Sequence, residues 1–221
     1  MKSHKERLST ITTHPHIDHY FKRILAIGPH PDDIELGCFG TLSRLQKQGS
    51  EVEFVVLTCG GVGGQVDERR HEAEKSAALL GAKVHFGDLE DTRIPEGFPT
   101  IKIIEDVIAE FKPTALIINS PNDTHQDHRN VAKAAVSAAR FVPVVLFYQT
   151  PSSTRSFTPY IFFDITDEID MKVKAVRMHE SQGENVYMAD RAVKGLAEFL
   201  GFQVYQGGKY YEGFEVHQMI F

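Results

Sequence analysis

The strongest constraint on this chain is a repeated alternation of short apolar runs with stretches of helical spacing. Residues 23–28 (RILAIG) are an apolar run that stops at Gly-Pro and passes directly into the polar segment 29–33. A run this short, bounded by such residues, reads as a buried strand. Residues 35–48 then take helical spacing, with Leu42 and Leu45 on one face and Gly49 closing the helix. The rhythm repeats. Strands are expected at 51–58, 83–86, 115–118, 144–148 and 160–165, with a late strand at 210–217. Helices are expected at 67–80 (ended by Gly81), 100–111 (ended before Pro113) and 129–140, and from about Glu168 and Asp190. Strands alternating with helices imply βαβ units and a mainly parallel sheet flanked by helices, with right-handed crossovers. The fold class is therefore α/β, single-domain and Rossmann-like.

The bulk composition narrows the function classes. A length of 221 residues suits one sizeable domain with a complete core. No repeat or long linker marks a second, so the expected division is an N-terminal arm at 1–20 and one domain at 21–221. The formal net charge of -6 argues against a nucleic-acid footprint, which needs a basic face. Cys38 and Cys59 each sit in apolar sequence and read as buried free thiols of a reducing, cytoplasmic compartment. Residues 1–20 contain no apolar stretch of the secretory type, and no run approaches the ~20 apolar residues of a membrane span.

In open α/β sheets ligands bind beyond the carboxyl ends of the strands, near the reversal of strand order. Three polar segments are predicted there: 29–33, 59–65 and 119–128. The first contains His30-Pro31-Asp32-Asp33, an imidazole and two carboxylates on one turn. The last contains His125-Gln126-Asp127-His128, two imidazoles flanking a carboxylate. A catalytic zinc site takes three ligands of the His/Asp/Glu type and keeps a fourth position open. His30, Asp33 and His128 supply that number. Asp32 is then a free carboxylate beside the ion, suited to general base work. His125 faces the same site as an oxyanion stabiliser or a proton donor to a leaving amine, and Asp127 is expected behind it, orienting an imidazole. Each segment alone has a plain structural reading: Asp-Asp caps a helix, and His-x-x-His decorates a surface. Meeting at one sheet edge, they point to a metal centre.

These residues carry a family resemblance. HPDD at 30–33 with Glu35, and HxDH at 125–128, resemble the LmbE/PIG-L family of zinc-dependent de-N-acetylases. Arg69, Glu72 and the following Ala77-Ala78-Leu79-Leu80-Gly81 are similar to the family's Arg-x-x-Glu helix. His179, Ser181 and Gln182 are similar to its late His-x-Ser-Gln segment, so the likeness runs through most of the chain. The resemblance implies an LmbE-like domain that hydrolyses an N-acetyl group on an amino sugar or related conjugate. It implies His30, Asp33 and His128 as ligands, Asp32 as base and His125 as the polarising histidine, with Arg69 and His179 at the substrate pocket. Zn2+ is the implied ion; imidazole and carboxylate also suit Fe2+ or Mn2+. Relatives in the family are often homo-oligomeric. One departure concerns the substrate. The family commonly shows Thr-x-Gly-Glu after the second strand, whereas this chain has Thr58-Cys59-Gly60-Gly61, with Gly61 where the acid would stand. Three roles stay open for this loop: admitting a bulkier substrate, contacting a phosphate through its amides, or no contact at all. Arg69 has an alternative partner too, in Glu72 along its own helix.

Other readings are weaker. A thiol- or sugar-conjugate amidase would use the same centre, and a non-catalytic sugar-binding relative would have no use for a complete set of ligands, base and second histidine. His14-x-His16-x-Asp18-His19 spells a run similar to that of metallo-β-lactamases, but no strands precede it. Dinucleotide binding is disfavoured because the first strand leads into carboxylates, not G-x-G-x-x-G, and these would repel a pyrophosphate. The expected partner is a small N-acetylated molecule.

Overall fold

The computed structural model describes residues 19–220. His14 and His16 therefore lie outside the described residues; His19 is exposed, with its ring edge-on to Tyr20 at 6.0 Å. The strands are β1 (Arg23–Gly28), β2 (Glu51–Val56), β3 (Lys83–Phe86), β4 (Ala115–Asn119), β5 (Val144–Tyr148), β6 (Ile161–Asp164) and β7 (Tyr211–Met219). The helices are α1 (Asp33–Lys47), α2 (Val66–Ala78), α3 (Phe98–Phe111), α4 (Gln126–Ala138), α5 (Ile169–Arg177) and α6 (Asp190–Gln203). They build a single α/β domain around one seven-stranded sheet in the order β3-β2-β1-β4-β5-β7-β6. β1 to β5 run parallel, and β7 pairs antiparallel with both β5 and β6. Among the described residues no helix is long and apolar enough to cross a membrane.

Alternation along each strand explains the two layers of core. On β1, Ile24 and Ala26 join a cluster with Phe39 and Leu42 of α1, while Leu25 and Ile27 join Ile104 and Val107 of α3 and Val131 of α4. A strand covered on both faces must be apolar throughout, which is why RILAIG and ALIIN show no polar alternation. Fully burying one such aliphatic side chain contributes about 1.5–3 kcal/mol.

The chain leaves β1 toward β2 on one side and later returns to place β4 on the other. That reversal opens a crevice at the carboxyl ends of β1 and β4. Residues 29–33 and 119–128 line it, a hundred residues apart in sequence.

The helix over this crevice, α1, is braced from outside. The amides of Gly40 and Thr41 donate to the Glu212 carboxylate of β7 at 3.0 and 2.6 Å, and Lys172 of α5 donates to the Glu35 and Leu36 carbonyls at 3.1 and 2.6 Å. Lys172 and Glu212 pair at 2.6 Å, both buried. At Gly37 a Cβ would stand 2.0 Å from the buried Tyr148 ring, so only glycine lets α1 approach β5 this closely.

Candidate active site

The turn after β1 presents the first half of the site. Asp32 caps α1 with φ 100, a left-handed conformation that a non-glycine residue adopts at a cost of about 1–3 kcal/mol. The turn is held by the His30 amide, which donates to Asp33 Oδ2 at 2.9 Å, and by Arg69, which donates to the Pro31 carbonyl at 2.8 Å. Gly60 faces Arg69 from the opposite wall. It has φ +64, its carbonyl accepts from Arg69 at 2.9 Å, and a Cβ there would lie 2.0 Å from the guanidinium.

α4 supplies the second half. It begins at Gln126, three residues before the sequence pattern predicts, because the polar start Gln126-Asp127-His128-Arg129 offers no apolar period to read. His125 is its N-cap, and its Nδ1 accepts the Asp127 amide at 3.2 Å. His128 therefore sits in the first helical turn.

Asp33 stands between two imidazoles, 3.3 Å from His30 Nδ1 and 3.4 Å from His128 Nε2. The far nitrogen of each ring is taken by another carboxylate. His30 Nε2 lies 3.1 Å from Asp91 and 3.2 Å from Asp127, and His128 Nδ1 lies 3.0 Å from Asp123. Asp123 is fixed by the Thr150 hydroxyl at 2.5 Å, and Asp127 by the amides of Thr92 and Ile94. His30, Asp32, Asp33, Arg69, His125 and His128 open onto one cavity of about 310 Å3.

Electrostatics separate the two adjacent carboxylates. Burial, then the charge of Asp33, push Asp32 up to about 7 against the pull of His179 and Arg69. Burial would raise Asp33 too, but His128 and His30 overcome it and hold Asp33 far below the usual carboxylate range. Burial opposes charge on His128, yet Asp33 and Asp123 lift it to about 9. Burial likewise opposes charge on His30, and Asp127, Asp33 and Asp91 outweigh it, leaving its pKa well above the ordinary value. His125 moves the other way: burial, then its two neighbouring histidines, lower it.

Some placements differ from the sequence expectations. Asp127 lies behind His30, not His125, and it is wholly buried. His179 is buried outside the cavity lining, with Nε2 3.3 Å from Glu35. Gly61 lines a neighbouring depression with Cys59 and Asp88, while Val62 and Gly63 reach the cavity itself. Arg69 does not pair with Glu72. It turns to Asp32 at 3.4 Å, and Glu72 accepts from the Ser181 amide and hydroxyl at 2.7 and 2.6 Å. With Gln182 donating to the Gly63 carbonyl at 3.0 Å, the late His-x-Ser-Gln segment is locked to α2 and the glycine loop. Asp91 and Asp123 are site residues that the motifs do not mark. Asp91 follows β3, so the strand-end rule could have found it; Asp123 was visible only as one polar residue in a polar stretch.

The donor set suits a divalent ion. Five carboxylates (Asp32, Asp33, Asp91, Asp123, Asp127) gather around three imidazoles, and among the described residues Arg69 is the permanent cation paired with one of these carboxylates. Nitrogens and oxygens of His30, His125 and His128, and of His30, Asp91 and Asp127, come within 4.8 Å of one another. A carboxylate behind an imidazole is the usual support of a ligating histidine.

Known proteins resemble this chain in sequence and in fold. Residues 25–139 match the PIG-L family, described as GlcNAc-PI de-N-acetylase. The chain is 38% identical over 172 residues to YaiS, an uncharacterised deacetylase of Escherichia coli, covering 72% of this chain and 91% of that one. It is 32% identical over 187 residues to the diacetylchitobiose deacetylase of Thermococcus kodakarensis, covering 73% and 70%. The N,N'-diacetylchitobiose deacetylase of Pyrococcus horikoshii shares the fold with a TM-score of 0.80 at 24% identity, over 98% of this chain and 93% of that one.

Proposed function

The chain belongs to the PIG-L family of GlcNAc-PI de-N-acetylases, and from that premise we propose that it is a metal-dependent hydrolase that removes the N-acetyl group from an amino sugar or a related conjugate. The observation that carries this reading is the placing of Asp33 between His30 Nδ1 and His128 Nε2, with Asp32 held apart by Arg69.

The ligand set follows from which atoms are already committed. Asp127 and Asp91 occupy His30 Nε2, and Asp123 occupies His128 Nδ1, so a ring that gives up its second proton to bind an ion would keep its remaining one there and offer its other nitrogen, which faces Asp33. His30, Asp33 and His128 would hold the ion, and Zn2+ fits a three-ligand His/Asp centre. His125 is not a ligand in this reading. When bound, a divalent ion at this position supplies Lewis-acid polarisation of the amide carbonyl and lowers the pKa of water there.

The remaining steps belong to the chain's own residues. Asp32 opens onto the cavity, and Arg69 engages its Oδ2, leaving Oδ1 to take the proton of the attacking water. Burial raises the Asp32 carboxyl above the usual carboxylate range, so it holds a proton more readily than an exposed carboxylate, and the same group can return that proton to the departing amine. His125 has Nδ1 occupied by the Asp127 amide, so its neutral ring carries the proton on Nε2. Its lowered pKa keeps it neutral, and it donates a hydrogen bond to the oxygen on which negative charge develops.

The test is amine and acetate release from N-acetylglucosamine, diacetylchitobiose and their glycosides, before and after metal depletion. The reading expects release that is lost on chelation and regained with added Zn2+. Release that persists in metal-depleted protein, or none from any N-acetylated amino sugar, contradicts it.

A further inference from the structure

Beside the catalytic cavity lies a second one of about 200 Å3, and the two share Leu36, Pro151 and Tyr187 as walls. Its far side is Val193, Ala197 and Leu200 of α6. The charged residues lining it are Lys172 and Glu212. Both are spent: they pair with each other at 2.6 Å, and their other contacts are backbone carbonyls and amides of α1. The pocket therefore offers a ligand apolar surface and no uncommitted charge. An apolar cavity of roughly 150 Å3 accommodates a benzene-sized molecule. One of about 200 Å3 is large enough for a ring or a short alkyl chain.

We propose that this pocket is an apolar subsite of the active site, and that the substrate carries an alkyl or aryl group which enters it past Leu36, Pro151 and Tyr187. The proposal rests on the deacetylase reading above and narrows its substrate class. Because the two cavities adjoin at Leu36, Pro151 and Tyr187, a group seated in the second can belong to a molecule held in the first. With no uncommitted charge among the described residues that line it, the far end disfavours a phosphate or a carboxylate. Such a group can reach the pocket from two sources, a glycosidic aglycone or an N-acyl chain longer than acetyl.

Two experiments separate the outcomes. The first compares kcat/KM for N-acetylglucosamine, its hexyl glycoside and N-hexanoylglucosamine. At least one alkylated compound should exceed N-acetylglucosamine about tenfold or more, mainly through KM, since each buried methylene is worth about fourfold; which compound does so identifies the source. Ala197→Phe, which fills the pocket, should remove that gain while leaving N-acetylglucosamine turnover unchanged. Ala197 is only 3% exposed, so Leu196→Ser on the 41% exposed rim provides a second variant, expected to reduce the gain several-fold. Equal kcat/KM for all three compounds, or a gain that survives both variants, overturns the proposal. The second experiment is titration calorimetry of wild type and Ala197→Phe with hexyl glucoside, which has no acetamide to hydrolyse. Binding lost in the variant supports the pocket even if no acetyl group is ever released. Turnover of N-acetylglucosamine without any binding of hexyl glucoside refutes the pocket and leaves the deacetylase reading intact.

Discussion

Two cavities share a wall in this molecule, and their linings are opposites. One is walled by aspartates and histidines from the turn after β1 and the start of α4; the other by aliphatic side chains from α1 and α6. In the polar cavity the charges of His30, Asp33 and His128 face one another, and Asp91 and Arg69 reach into the same group. In the apolar cavity the two charges are structural, tying β7 and α5 to the helix that carries Asp33. The contrast teaches that the same helix, α1, serves both. Its first turn presents carboxylates to the reaction, and its second turn, at Leu36 and Gly37, forms the floor of the apolar pocket.

Breaking either side should have different signatures. Asp33→Ala should have the largest effect, removing bound metal and deacetylase turnover together. The loss should exceed the 10–100-fold expected when an outer support is lost; metal analysis and steady-state rates check it. Glu212→Gln should leave the ligands in place but strand Lys172 as a buried, unpaired cation. Breaking such a pair costs about 3–5 kcal/mol, so urea unfolding should show the loss while metal content per folded chain stays unchanged.

These two variants also mark what sequence could and could not reveal. The carboxyl ends of β1 and β4 were legible because apolar runs stop abruptly at HPDD and NDTHQDH, and the parallel topology brings such ends together. The mainly parallel sheet followed from the same runs. The insertion of β7 between β5 and β6, antiparallel to both, was not legible, because strand direction leaves no mark in a run of alternating residues. Asp123 and Asp91 were hidden for another reason. Their roles depend on which imidazole nitrogen they meet, a property of three-dimensional placement. Leu36, Ala197 and Leu200 read as ordinary core positions, and only their packing shows that they leave a space.

Asp123→Asn sharpens the polar side. His128 Nδ1 loses its carboxylate while Thr150 and the ring stay, so metal affinity should fall about 10–100-fold. Competition with a chromophoric chelator measures this, and unchanged affinity would remove Asp123 from the account.

The smallest effect lies outside both cavities, at Asp164 on the β6 edge. Burial would raise its pKa, but hydrogen bonds from Lys209 and Thr166 outweigh this and lower it. A carboxyl lowered in the folded state adds stability above its unfolded pKa of about 3.9, and this is lost as pH falls below that value. The gain should be only a few tenths of a kcal/mol to about 1 kcal/mol for a partly exposed group. Asp164→Asn should therefore lower Tm slightly at pH 7 and by less at pH 3, and an equal shift at both would disprove the linkage.

The central claim is a division of labour between neighbours: Asp33 holds the ion and Asp32 moves the proton. Asp32→Asn tests it in one protein sample, by metal analysis alongside kcat for release of acetate. The account predicts one divalent ion per chain, as in the wild type, with kcat reduced about 10^2–10^4-fold, the range for loss of a general base. Near wild-type turnover, or loss of the metal along with activity, would contradict it.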